Sequence, residues 1–293
     1  MHQPPGPGAG GFGLVSAGAI AALVLLVWAA IWVARHGPRL RALIKRMSEV
    51  PATGEAMTWV RGRIGRLPTS EVAGIAMLLG LAVVVSLAVG FTEVLDDVLD
   101  GDGIAGIDRP ITSWLAAHRD LWLTSTLRVV THAGGPLLLA AFAFPISVAA
   151  AWRCRSWRPV VLVLVCGGGI PLVLFAAKAL VGRERPPVPF ALVDADGYSF
   201  PSGHATGTAA TTVITAWLLT RWLIPWWTGR VVVWTVAIAS VFLIGFSRVY
   251  LGVHYVSDVL AGWMLGIAWA GAVMLAGFWW DNARRAGPRQ PDP

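Results

Sequence analysis

Three short segments of the chain hold side chains that together could bind a charged group and transfer it. They lie at 178–186, 201–204 and 247–258. Fixed cations can hold an oxyanion, one imidazole can attack it, and a second imidazole can protonate the group that leaves. This combination of residue types indicates phosphoryl transfer. The side chains concerned are those of Lys178, Arg185, Ser202, His204, Arg248, His254 and Asp258.

The first segment supplies two cations. Lys178 and Arg185 are seven residues apart, so a helix that continued past Lys178 would keep both on one face. The planar guanidinium of Arg185 suits two phosphate oxygens, whereas the ammonium of Lys178 is a compact point charge. Pro186 and Pro187 are then expected to end the helix. The alternative is that these cations only extend from the end of a membrane helix towards water.

The second segment has the pattern of a helix start. Ser202 precedes a long apolar run and is typical of an N-cap. The free N–H groups and the positive dipole end of a helix amino terminus bind anions. Gly203 would let an oxyanion approach the backbone closely, and His204 lies in the same first turn. The alternative for His204 is an ordinary residue at the membrane interface.

The third segment contains a histidine and an aspartate at helical spacing. His254 and Asp258 are four residues apart, so on a helix they share a face and can touch. A carboxylate that accepts from one imidazole nitrogen sets the tautomer and leaves the other nitrogen free to attack. Arg248 lies six residues earlier, across a turn that contains Gly252. The alternative is a structural hydrogen bond, which a buried aspartate in an apolar helix needs in any case.

The elements that must position these residues are membrane helices. The chain is 56% hydrophobic and 13% charged, with a mean hydropathy of +0.66. This composition excludes an ordinary soluble globular protein. Ionisable groups at membrane depth usually mark functional sites. Seven apolar runs are long enough to cross a bilayer, at 12–34, 70–92, 124–152, 159–178, 204–222, 231–247 and 256–279.

The distribution of charge predicts how these spans are oriented. When the gaps between spans are assigned alternately, 16 of the 23 Lys and Arg fall on one side, which the positive-inside rule makes cytoplasmic. The chain has a net charge of +7, and its excess of basic residues is therefore expected to face anionic lipid headgroups on the cytoplasmic side and not nucleic acid. The connections that carry the three reactive segments fall on the other side. We expect a multi-pass plasma (inner) membrane protein with an extracytoplasmic site and a cytoplasmic C-terminus.

The three segments together resemble the signature of a known superfamily. In order they read Lys-x6-Arg-Pro, Pro-Ser-Gly-His and Ser-Arg-x5-His-x3-Asp. This is similar to the type 2 phosphatidic acid phosphatase and vanadium haloperoxidase superfamily, and the flanking residues at 197–205 and 247–255 are similar to it too. One departure is Val256, where many relatives have proline. We expect it to alter the helix start and not the chemistry.

The resemblance implies a role for each residue of the segments. The implied phosphate ligands are Lys178, Arg185, Ser202, Gly203 and Arg248. His254 is the implied nucleophile, which forms a phosphohistidine, Asp258 orients it, and His204 is the implied acid. The resemblance implies no cofactor and no metal, and the sequence shows no cluster at metal-ligand spacing.

The resemblance also implies a fold, an all-α polytopic membrane helix bundle. It places a six-helix phosphatase domain at 70–280 and leaves a further N-terminal transmembrane anchor, with a basic cytoplasmic amphipathic segment, at 1–69. A short cytoplasmic tail follows at 281–293.

The function expected from these features is hydrolysis of a lipid phosphate or diphosphate. Phosphatidic acid, phosphatidylglycerol phosphate and a polyprenyl diphosphate such as undecaprenyl diphosphate all fit, and the sequence does not choose among them. One alternative is a phosphotransferase that passes a lipid headgroup to an acceptor alcohol. Others are a haloperoxidase that holds vanadate and a transporter or structural membrane protein without catalysis.

Four further residues lie near the reactive segments. His118 and His132 are candidates for lining a substrate pocket, with packing or interfacial roles as the alternative. The simplest interpretation of Arg183 and Glu184 is an ion pair with each other.

Overall fold

A computed structural model describes residues 69–187 and 190–286 of the 293-residue chain, with side chains at 74–187 and 190–280. The predicted anchor at 12–34 and the basic amphipathic segment that follows it lie outside the described residues, as does most of the predicted tail.

The described part of the chain is helical and contains no strand, which confirms the all-α prediction. Two short turns of other helix types interrupt the α-helices, a 3₁₀ turn at Gly103–Ile107 and a π turn at Leu219–Leu223. The α-helices are α1 (Thr69–Asp100), α2 (Asp108–Ala117), α3 (Leu121–Ala133), α4 (Pro136–Cys154), α5 (Arg158–Val181), α6 (Gly203–Leu218), α7 (Trp227–Tyr250) and α8 (Val256–Ala286).

Five stretches of these helices are long and apolar enough to cross a membrane. They are Gly74–Asp100, Pro136–Cys154, Arg158–Val181, Trp227–Tyr250 and Val256–Trp280. Many of their large apolar side chains lie on the outer surface of the bundle, as lipid contact requires. The chain is therefore an integral membrane protein.

The prediction of one continuous span at 124–152 is wrong. The chain breaks at Gly134 and Gly135, which separate α3 from α4. Pro136 is the first residue of α4, and its missing N–H makes a helix start more favourable there than a helix interior. The predicted span at 204–222 consists of α6 and the π turn that follows it.

Helix α6 lies inside the bundle and contacts α4, α5, α7 and α8. Its crossing with α8 is close because both helices carry small residues there. A Cβ atom at Gly262 would lie 2.9 Å from the Ser202 carbonyl oxygen, and one at Gly266 would clash with the Thr206 carbonyl oxygen. The crossing therefore sets the start of α6 against the first turns of α8.

The connection between α7 and α8 is held from two sides. Arg119 donates to the Tyr250 carbonyl oxygen at 3.0 Å and to the Phe190 carbonyl oxygen at 2.6 Å. Gly252 has a φ of +74° and passes so close to Phe190 that any Cβ would clash with its carbonyl group. The third reactive segment and the loop at 190–197 are thereby joined at one end of the bundle.

Candidate active site

His254, Asp258 and Arg185 form the centre of the site. Nδ1 of His254 lies 3.3 Å from Oδ2 of Asp258, and Nε2 lies 3.1 Å from Nη1 of Arg185. An arginine can only donate, so Nε2 must be the accepting nitrogen, and the proton is on Nδ1, where it is donated to the carboxylate. His254 precedes α8, so the predicted contact forms between a loop residue and the first helical turn.

Burial keeps His254 neutral. The side chain is 2% exposed. Burial lowers the pKa of the imidazole to about 4, although the nearby Asp258 carboxylate acts in the opposite direction. Neutral imidazole therefore persists at physiological pH, with a lone pair on the nitrogen that faces Arg185.

Asp258 is fully buried, and both of its carboxylate oxygens accept hydrogen bonds. Oδ2 accepts from Ser199 Oγ at 2.5 Å and from the Tyr255 backbone N–H at 2.9 Å, in addition to His254. Oδ1 accepts from Arg183 Nη1 at 2.7 Å. A buried carboxylate with this many donors can remain ionised.

Arg185 reaches the site from an extended segment, not from a helix. Helix α5 ends at Val181, and Gly182 caps it in the left-handed conformation with a φ of +63°. The predicted continuation of the helix from Lys178 to Arg185 is therefore wrong. The Arg185 guanidinium is held by backbone carbonyl oxygens, those of Asp196, Gly197 and Val253 at 2.8–2.9 Å and that of Tyr198 at 3.4 Å.

Arg183 does not pair with Glu184, which is exposed. Its guanidinium instead bridges Asp258 and Asp108, with N–O distances of 2.7 and 2.8 Å. It also lies over the ring of Tyr255, 4.3 Å from the centroid. The expected local ion pair is wrong because two buried carboxylates compete for this cation more effectively than one exposed neighbour does.

The second segment starts a helix as predicted. Ser202 is the N-cap of α6, and its Oγ accepts from the Ala205 N–H at 3.5 Å. The Ser202 N–H donates to the backbone carbonyl oxygen of Asp258 at 3.0 Å, which joins this segment to the third. His204 is half-buried and lies within electrostatic range of His254 and Arg248.

Arg248 is 5% exposed, near the end of α7. Its Nη1 donates to Thr131 Oγ1 at 2.9 Å. Its Nε is buried and has no hydrogen-bond partner, which is costly for a donor on a charged group. Arg248 also lies within electrostatic range of Arg185, so two cations face one region.

Lys178 approaches from the last turn of α5. Its ammonium donates to the Tyr198 carbonyl oxygen, and it lies within electrostatic range of Arg185 and Asp258. The structure therefore brings the eight predicted site residues together at one end of the bundle.

Several residues of this region were not found from the sequence. They are Asp108, Thr131 and Ser257. No spacing signal links Asp108 to the third segment, since the two are 149 residues apart where they hydrogen-bond. The position of Arg183 between Lys178 and Arg185 in the first segment indicates a place near the site, but it does not reveal which carboxylates Arg183 binds.

The other two histidines lie at the edge of the site or away from it. His118 follows α2, stacks on Trp114 and has its Nδ1 2.8 Å from the Trp114 carbonyl oxygen. It has a packing role. His132 is exposed in the last turn of α3 and lies within electrostatic range of His204. Over the described ranges, no three His, Cys, Asp or Glu residues are grouped as metal ligands would be.

Comparisons with known proteins identify the family of this chain. The family model of the PAP2 superfamily matches residues 137–282. Phosphatidylglycerophosphatase B of Bacillus subtilis is 31% identical over 178 residues, which are 60% of this chain and 86% of that protein. Decaprenylphosphoryl-5-phosphoribose phosphatase of Mycobacterium tuberculosis is 33% identical over 162 residues, 52% of this chain and 78% of that protein.

A solved structure has the same fold. It is the crystal structure of a transmembrane PAP2-type phosphatidylglycerolphosphate phosphatase from Bacillus subtilis, with a TM-score of 0.60 and 27% identity. The similarity covers 71% of this chain and 98% of that one. On these matches, the chain belongs to the PAP2 superfamily and is a membrane-embedded phosphatase.

Proposed function

We propose that this protein hydrolyses a lipid phosphate or diphosphate through a phosphohistidine on His254, without a metal. The observation that carries the proposal is the orientation of one imidazole ring. Its Nδ1 faces the Asp258 carboxylate at 3.3 Å, and its unprotonated Nε2 faces the Arg185 guanidinium at 3.1 Å. A neutral imidazole nitrogen beside a phosphate-binding cation places a nucleophile next to the position where the phosphoryl group would be held.

The surroundings of this nitrogen suit the oxygens of a phosphoryl group. Lys178, Arg185 and Arg248 supply three positive charges from three elements of the fold. The unpartnered Nε of buried Arg248 is a donor that a phosphate oxygen would satisfy. At Gly203 a Cβ would make only ordinary contact with Leu174, at 3.6 Å, so packing alone does not require glycine there. Glycine is instead explained by the close approach of an oxyanion to the amino terminus of α6, which a side chain would block.

In the first step, Nε2 of His254 attacks phosphorus and the bond from phosphorus to the leaving oxygen breaks. Burial and the neighbouring Arg248 lower the pKa of His204 to about 4 in the free site, and the negative charge of a bound phosphate acts in the opposite direction. His204 then gives its proton to the leaving oxygen, so the alcohol or lipid monophosphate leaves without excess charge. The attacking imidazole of His254 becomes positively charged as the N–P bond forms, and the Asp258 carboxylate stabilises it through the Nδ1 proton. The cations stabilise the charge on the equatorial oxygens of the transferring group.

In the second step, water attacks the phosphohistidine. His204, now deprotonated, takes a proton from that water as the P–N bond breaks, and inorganic phosphate leaves. His204 returns to its protonated state and His254 to its neutral one. Each turnover thus consumes one water and regenerates both side chains.

The substrate we propose is a phosphate group on a long apolar tail. The site lies at one end of a bundle whose outer surface carries exposed apolar side chains on its spanning helices. A lipid whose tail remains in the bilayer can present its headgroup there. The names of the two relatives cover a glycerophospholipid and a polyprenyl phosphate. Phosphatidic acid, phosphatidylglycerol phosphate and polyprenyl diphosphate, the three lipids expected from the sequence, remain the candidates.

Phosphate release from a lipid panel tests this function. We expect the purified full-length protein in detergent to release inorganic phosphate from at least one of the three candidates, with no loss in excess EDTA. The reason is that the side-chain cations, not a metal, neutralise the phosphate. Loss of activity in EDTA that returns with a divalent cation would contradict the metal-free mechanism. Dephosphorylated lipid formed without equivalent free phosphate would instead indicate transfer to an acceptor.

We also propose that the site faces the extracytoplasmic side, from the asymmetric distribution of Lys and Arg. In a background of Cys154→Ser and Cys166→Ser, we expect Asp194→Cys to react with a membrane-impermeant thiol reagent in intact cells and Thr228→Cys not to react. Both side chains are exposed. Thr228 lies in the first turn of α7, whereas the 190–197 loop adjoins the other end of that helix. The 24 residues of α7 make the two ends about 36 Å apart.

Labelling after cell lysis is the control, because both cysteines should then react. Labelling of Thr228→Cys but not Asp194→Cys in intact cells would invert the orientation. It would also exclude a role on lipids of the outer leaflet, such as a carrier diphosphate released after its cargo is delivered.

A further inference from the structure

Arg183 differs from the other cations of the site because it is bound to protein carboxylates. Its Nη1 donates to Asp258 Oδ1 and to Ser257 Oγ, each at 2.7 Å, and its Nη2 donates to Asp108 Oδ2 at 2.8 Å. The face of the guanidinium is covered by the Tyr255 ring. Both terminal nitrogens are thus engaged, and the cation is held away from a role as a phosphate ligand.

Asp108 anchors this arrangement from a distant part of the chain. It is 1% exposed at the start of α2. Its Oδ1 accepts from the Ser257 backbone N–H at 3.0 Å, and its Oδ2 accepts from Ser257 Oγ and from Arg183. Asp108 lies outside residues 137–282, the part of the chain that the family model matches. The carboxylate therefore caps the first turn of α8 from a helix that precedes the residues matched by the family model.

The contact with Oδ1 of Asp258 has a consequence for Oδ2. A carboxylate can rotate about its Cβ–Cγ bond unless both oxygens are held. Arg183 holds Oδ1, while the Ser199 hydroxyl and the Tyr255 backbone N–H hold Oδ2, which lies 3.3 Å from Nδ1 of His254. Asp108 in turn holds Arg183, because the guanidinium fork matches two carboxylates at once. A lysine could not make both contacts with the same geometry.

We propose that Arg183 and Asp108 are positioning residues, which hold Asp258 and, through it, His254 in the attacking orientation. The proposal rests on the proposed function of His254 as nucleophile. It assigns to the start of α2 a part in the reaction that the three sequence motifs do not contain. The two residues act as one unit, since each is held by the other.

The test compares Asp108→Asn and Arg183→Lys with the wild-type enzyme. Asp108→Asn is nearly isosteric and keeps a hydrogen-bond acceptor for Ser257, but it removes the charge that holds Arg183. Exposed Asp100→Asn and exposed Arg128→Lys are the matched controls, and we expect wild-type rates for them. The measurements are kcat, KM and the dissociation constant of orthovanadate, a phosphate analogue that reports an intact phosphate site.

We expect each variant to lower kcat by about 10- to 100-fold, with KM and the vanadate dissociation constant within about twofold of wild type. A misaligned nucleophile slows attack without weakening the phosphate ligands. The kcat of the double variant should lie within about twofold of the kcat of the slower single variant, because the two residues form one unit. Wild-type kcat in Asp108→Asn, or a loss of vanadate affinity parallel to the loss of kcat, would overturn the proposal.

Phosphoenzyme trapping separates this proposal from the proposed function. With radiolabelled substrate, the wild-type enzyme should give an acid-labile phosphoenzyme, and both variants should form it more slowly. If the wild-type enzyme gives none while His254→Ala remains active, the proposed function itself fails. If the wild-type enzyme gives it and both variants form it at the wild-type rate, only the positioning role is wrong.

Discussion

Replacement of His254 by alanine is expected to abolish phosphate release, a loss on the order of 10⁴-fold or more. The reason is that no other described side chain places an unprotonated nitrogen against Arg185. The loss should appear in kcat, because the three cations that bind the phosphate remain. Release of inorganic phosphate from the best lipid of the panel measures it.

The variant should remain folded and inserted in the membrane. Asp258 keeps its hydrogen bonds from Ser199, Arg183 and the Tyr255 backbone N–H, so its buried charge stays satisfied without the imidazole. His118→Ala is the matched control, since His118 only packs beside Trp114. Turnover at the wild-type rate in His254→Ala would end the phosphohistidine hypothesis.

Replacement of His204 by alanine is expected to slow hydrolysis of a lipid phosphate by roughly 10²- to 10⁴-fold. His204 lies in the first turn of α6, within electrostatic range of His254 and Arg248, where it can reach the leaving oxygen. An alkoxide is a poor leaving group and needs its proton. A substrate whose leaving group is already a weak base, such as an aryl phosphate, should lose much less.

The ratio of the two losses is therefore the informative quantity. Both substrates need the same phosphate ligands, so a defect in binding would affect them alike. Equal losses for the lipid and the aryl phosphate would show that His204 only positions phosphate. Exposed His132, near His204 but on α3, is the matched control, and His132→Ala should leave the ratio unchanged.

The sequence by itself determined the class of the protein and predicted the eight residues that the structure brings to one end of the bundle. Apolar runs of bilayer length predict membrane helices because the backbone must satisfy its own hydrogen bonds in lipid. The N-cap at Ser202 and the contact of His254 with Asp258 are local features, separated by a few residues. Spacing rules apply to such features, and the structure agrees with both.

Only the tertiary structure decided how the helices end and which distant charges meet. The sequence alone favoured a longer α5, but the left-handed Gly182 ends it and turns the chain, so that Arg185 reaches His254 from an extended segment. The pairing of Arg183 with Asp108 could not be predicted from spacing, since 75 residues separate them. A buried carboxylate is stable as an ion only beside a cation or other donors. Which cation lies close enough is decided by how the helices pack.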